Sequence, residues 1–144
     1  MSHINDLKVD ISQEIEIRAT VEGAYASLIR RLTSENTTPD NRPMPMVLEE
    51  WSGGRWFRDL GEGQGHLWGF VQVIKPPNLI EIHGPMFMSY AVAGHLRLHF
   101  SSVTEGVALS LRHQVFGAVT QEHRLGMQQG WGHLLEQIKR ICES

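Results

Sequence analysis

The chain has 144 residues, 41% apolar and 20% charged, with a formal net charge of -3. This is the make-up of one globular domain spanning residues 1–144, large enough to bury a core and enclose a pocket. No basic cluster larger than Arg30-Arg31 offers a phosphate-binding surface, no apolar run approaches the roughly 18 residues of a membrane span, and the N-terminus lacks a signal-peptide layout. The expectation is a cytoplasmic protein with neither nucleic acid nor membrane as partner.

Leu7 to Ala19 alternates, with Leu7, Val9, Ile11, Ile15 and Ile17 on one phase, which predicts a half-buried strand. Thr20 is a candidate N-cap for a helix over about Val21 to Leu32, with Glu22 in its first turn and an apolar stripe of Tyr25, Leu28, Ile29 and Leu32. Thr33 to Pro45 carries three prolines among Thr, Asn and Asp and reads as a loop near a pocket entrance.

From Met46 the pattern becomes short strands divided by turn residues. Met46 to Ser52 and Arg55 to Leu60 flank Gly53-Gly54, which allows a tight hairpin or a bulge. His66 to Ile74, Leu79 to His83, Met86 to Ala93, His95 to Ser101 and Val107 to Phe116 follow. In the last pair Leu96, Leu98 and Phe100, then Val107, Leu109, Leu111, His113 and Val115, share an inward phase. Helices at the start and end of a meandering antiparallel sheet make the class α+β.

Thr120 to Cys142 is the longest periodic stretch. Leu125, Met127, Trp131, Leu134, Leu135, Ile138, Ile141 and Cys142 recur at helical steps. At about 1.5 Å per residue the helix runs roughly 34 Å, longer than the strands read upstream, so a sheet can curl around it. Gly126, Gly130 and Gly132 each oppose it by about 1 kcal/mol relative to alanine. They either admit a close neighbour or leave space beside Trp131.

Gly53-Gly54-Arg55-Trp56, Gly69-Phe70-Val71 leading to Pro76-Pro77, Thr104-Glu105-Gly106 before the strand with His113, and Gly130-Trp131 in the terminal helix together resemble the SRPBCC superfamily. Within it, the series is similar to the family named for the C-terminal domain of the activator of Hsp90 ATPase. The run from Gly65 to Gly69 and on through Gly84 to Tyr90 looks like a bacterial subgroup of that family, mostly uncharacterised. The resemblance implies a helix-grip fold: a curved antiparallel sheet of six to seven strands around the C-terminal helix, with short helices after the first strand. It also implies a cavity between sheet and helix, since relatives often hold lipophilic molecules there. The activator itself has a further N-terminal domain for which this chain has no room, so Hsp90 is not an expected partner.

The candidate ligand-binding set is Trp56, Trp68, Phe70, Met86, Met88, Leu98, Phe100, Leu111, His113 and Trp131. Each alone reads as ordinary core; together they offer the adaptable apolar surface, with a few indole donors, that small-molecule sites use. His113 is either a core histidine bonded to Tyr90 or a backbone carbonyl, or the pocket's polar anchor or acid/base group. His95 and His99 lie about 13 Å apart on an extended strand, and Cys142 is the single cysteine, so no metal and no cofactor is expected. Arg55, Arg58, Asp59 and Glu62 read as a salt-bridged surface strand. No GxSxG, phosphate loop or dinucleotide fingerprint is present, and no catalytic residue is assigned.

Three functions follow. The first is binding of a small hydrophobic molecule, as carrier, store or sensor, with a homodimer allowed. The second is an enzyme of the cyclase, aromatase or hydratase type in which His113, Tyr90 or Arg97 moves protons. The third is a protein-interaction or co-chaperone role using the outer sheet face or the 33–45 loop.

Overall fold

The computed structural model describes residues 4–87 and 91–144. A short 3-10 helix (Ile4–Leu7) leads into β1 (Lys8–Ile17), α1 (Val21–Leu32), β2 (Val47–Leu48), β3 (Arg55–Gly61), β4 (Gln64–Lys75), β5 (Leu79–His83), β6 (Ala93–Val103), β7 (Gly106–Phe116) and α2 (Gln121–Glu143). The strands form one antiparallel seven-stranded sheet in the order β1-β7-β6-β5-β4-β3-β2. The chain leaves β1, builds the meander from the far edge, and returns with β7 beside β1, Lys8 opposite Phe116 and Ile17 opposite Val107. This is a helix-grip fold.

Both helices start where expected, because Thr20 and Thr120 act as N-caps: their hydroxyls accept hydrogen bonds from the Gly23 and His123 amides. The inward phase of β6 and β7 holds, with Leu96, Leu98, Phe100, Leu109 and Leu111 buried in one cluster with Met127, Trp131, Leu134, Leu135 and Ile138 of α2. Helix α2 runs alongside β1. At one end Arg124 donates to the Lys8 and Asp6 carbonyls, and at the other Lys139 donates to the Glu16 carbonyl. Between them, Gln13 donates to the Gln128 carbonyl.

Four expectations change. The second strand shrinks to Val47–Leu48 because the chain turns at once: Glu49 grips the Arg55 amide and guanidinium, and a Cβ on Gly54 would stand 2.0 Å from the Glu49 carbonyl oxygen. Met86 to Ala93 is not a strand as far as it is described. Met86 has a φ of 59° and its amide donates to the Trp68 carbonyl, folding the segment over the sheet, and β6 begins at Ala93 with Gly94 inside it. At about 3.3 Å per residue the 12-residue β4 is longer than α2. Among the described residues, a single α-helix lies between β1 and β2, where the resemblance implied more than one short helix.

The 33–46 segment is a loop, but a tethered one. Met44 and Met46 amides donate to the Asn36 and Thr33 carbonyls, Thr37 bridges Pro43, and the buried Asn36 side chain donates to the Met44 carbonyl. These bonds fold it back over the first half of α2.

Candidate functional site

The three glycines of α2 do not mark close packing. Among the described residues, a Cβ built on Gly126 or Gly130 meets nothing within 4 Å, and on Gly132 it would only touch Gln13. Gly126 and Gly130 lie one turn apart on the same side of the helix. They border a cavity of about 190 Å³.

Its wall is aromatic and sulfur-rich: Trp68 from β4, Phe87 from the β5–β6 connection, Met127 and Trp131 from α2, and Met44 from the tethered loop. Its polar rim is Arg31 at the end of α1, then Asn36, Thr37 and Thr38 from the loop, and His133. A wider depression of about 550 Å³ adjoins it, sharing Thr38, Pro39, Met44, Trp68 and Phe87 and adding Arg58, His66, Leu67 and Met86. The two form one groove.

The wall is part of a continuous ring stack. Trp56 meets Trp68 at 5.0 Å between centroids, Trp68 meets Phe87 at 5.8 Å, Phe87 meets Trp131 at 5.9 Å, and Trp131 meets His113 at 5.1 Å. Most of these pairs are edge-to-face, the geometry that ring quadrupoles favour. The stack makes a firm wall. Phe87, the middle ring, is the one most open to solvent, 44% exposed, while both ends of the stack are buried.

Of the ten expected site residues, Trp68 and Trp131 line the cavity and Met86 lines the adjoining depression. Trp56 lies buried behind Trp68, its indole donating to the Leu32 carbonyl. Leu98, Phe100 and Leu111 are plain sheet core away from the groove. Phe70 is 38% exposed and stands beside His83 on the outer face. The cause is a register shift: Trp56 pairs Gly69 but Phe57 pairs Leu67, leaving Trp68 as a bulge that breaks the alternation between Trp68 and Phe70. Met88, and with it Tyr90, lies outside the described residues.

His113 is fully buried behind Trp131 and does not line the groove. The Trp131 indole donates to its Nδ1 at 2.9 Å, so the ring proton sits on Nε2, which has no hydrogen-bond partner among the described residues. Burial, with a smaller contribution from His95, pushes its pKa down to about 4. His113 is therefore neutral near pH 7. The core reading of this histidine fits, with Trp131 as its described partner; the expected partner Tyr90 lies outside the described residues.

Sequence reasoning missed Arg31, Met44, Phe87 and Met127 as groove residues. A signal for Arg31 existed: it falls three residues after Leu28 on the buried side of α1, among Ala24, Ser27 and Leu28. Its Nε donates to Gln137 Oε1 and its Nη1 to Asn36 Oδ1. The surface-strand reading of residues 55–62 also changes. Arg55 pairs with Glu49, while Arg58 makes no ion pair among the described residues and buries an unpartnered Nη1. On the outer face His95 and Arg97 share Glu81, at 2.8 and 3.8 Å. Among the described residues no cluster of three potential metal ligands forms, and no helix is long and apolar enough to cross a membrane.

A family model described as "Activator of Hsp90 ATPase homolog 1-like protein" matches residues 16–143. No curated protein matches the chain. Among solved structures, an uncharacterised protein from Rhizobium leguminosarum superposes with a TM-score of 0.73 at 15% identity, over 94% of this chain and 95% of that one. The protein CV1439 from Chromobacterium violaceum gives a TM-score of 0.73 at 16% identity, over 94% and 97%. The di-domain ARO/CYC protein StfQ of the steffimycin biosynthetic pathway gives a TM-score of 0.67 at 15% identity. There the match covers 96% of this chain but 50% of StfQ, so the chain spans half the length of that protein.

Proposed function

The chain belongs to the Activator of Hsp90 ATPase homolog 1-like family, and we propose that it binds a small hydrophobic molecule in the groove between α2, the tethered loop and the Trp68–Phe87 wall, as a carrier, store or sensor. The observation that carries this reading is the bare face of α2. Two glycines one turn apart face open space across from an aromatic wall, although each weakens the helix by about 1 kcal/mol. An apolar cavity of about 150 Å³ takes a benzene-sized molecule, so 190 Å³ suits one ring with a substituent, and the adjoining depression has room for more. Elsewhere sheet and helix enclose ordinary core.

An enzyme of the cyclase or aromatase type has in its favour the fold shared with StfQ. Of the proton carriers suggested for it, His113 is walled off behind Trp131 and Arg97 points to the outer face beside Glu81. Binding is the function the geometry supports best.

Native mass spectrometry of freshly purified protein, with extraction of any retained molecule, tests the reading together with the Gly130→Leu variant. A bound apolar species on the wild type, and at least tenfold weaker uptake by a variant whose side chain fills the gap, is the expected result. Equal uptake by both would place binding elsewhere.

A further inference from the structure

The arginines of this chain are distributed against the usual rule that buried charges are paired. Exposed Arg30, Arg42, Arg55 and Arg112 each hold a carboxylate, Glu35, Asp40, Glu49 and Asp10. Arg31, only 5% exposed, has no carboxylate within 4 Å among the described residues, and its hydrogen-bond acceptors are the neutral amides of Gln137 and Asn36. Those bonds use Nε and Nη1 and leave Nη2 uncommitted. Burial works against the charge and pulls its pKa below the ordinary arginine value.

A second observation points the same way. The chain carries 16 Asp and Glu against 13 Lys and Arg, yet among the described residues not one Asp or Glu lines either part of the groove, while Arg31, Arg58, His66 and His133 do. Two polar atoms on the groove's lining residues are buried without a partner among the described residues, Arg58 Nη1 and Thr37 Oγ1. The groove is thus a hydrogen-bond-hungry site whose fixed charges are the two arginines, in an acidic protein. A hydrocarbon ligand would leave all of this unanswered.

We propose that the groove's ligand is an amphipathic anion, a small aromatic or apolar body carrying a carboxylate, with Arg31 as its counter-ion and the Trp68–Phe87–Trp131 wall holding the body. This rests on the binding reading above and names the class of molecule that fills the site. A carboxylate supplies the acceptor that Nη2 lacks, and a charge-assisted bond in a half-dry groove favours the anion over a neutral isostere.

Isothermal titration calorimetry with 2-naphthoate, 2-naphthamide and 2-naphthylmethylammonium decides the matter, since the three share a body and differ in charge. The expected order has the carboxylate tightest, by about tenfold or more over the amide, with the ammonium weakest. In Arg31→Met the ratio of carboxylate to amide affinity should collapse to within about threefold, whatever the variant does to the two affinities together. If Arg31→Met does not fold, the wild-type ranking decides alone. An amide binding as tightly as the carboxylate, or a preferred ammonium, overturns the anion subsite and leaves the binding reading standing. Failure of all three to bind removes both.

Discussion

His113 is a neutral ring in a place that excludes charge, and this makes it a source of acid sensitivity. Its pKa of about 4 in the fold lies below the ordinary 6.5, so as pH falls the unfolded chain takes up the proton first. The stability it confers is complete above about pH 6.5 and drains between there and pH 4, by roughly 3 kcal/mol at the lower end. His113→Gln keeps an acceptor for the Trp131 indole without a titrating group. Thermal melts from pH 7 to 4 should show a shallower loss for the variant; parallel curves would assign the acid sensitivity to other groups. His113 was legible as a buried histidine from its strand phase, but its partner was not, because the Trp131 contact joins a strand to a helix 18 residues later.

Among the elements, the tethered loop matters most, since it roofs the cavity without any regular structure of its own. Asn36 is the pin, accepting from Arg31 and donating to the Met44 carbonyl from a buried position. Asn36→Ala should cost about 1–3 kcal/mol, because it strands a buried donor and a buried acceptor. It should also raise amide exchange across residues 33–46, read by mass spectrometry; unchanged protection there would mean the backbone bonds suffice. The composition of this stretch showed where regular structure stops, with three prolines in thirteen residues, but not the fold-back, which rests on backbone bonds from Met44 and Met46 together with the Asn36 side chain reaching across eight residues. Element β4 teaches the same lesson. Strict alternation put Trp68 and Phe70 on one face, and the bulge at Trp68, set by pairing with β3, sends them apart.

For the whole molecule, the two sheet edges are unequal. At the β1 edge, α2 side chains grip main-chain carbonyls of the strand, whereas the opposite edge ends in the two-residue β2. Native-state hydrogen exchange should therefore find β6 and β7 slowest and β3 markedly faster. Uniform protection across the sheet would show that opening is global. The antiparallel meander, both helices and the sheet-facing side of α2 were readable in the sequence, because periodicity reports which face is buried. The groove was half readable, for periodicity cannot tell a residue facing core from one facing a gap. The glycines of α2 carry that missing information. Since alanine at Gly126 or Gly130 strengthens the helix and meets no clash, any redesign that ranks variants by melting temperature alone would select those changes early and begin to fill the cavity. Their retention in a working lineage would then be a record of selection for the empty space itself.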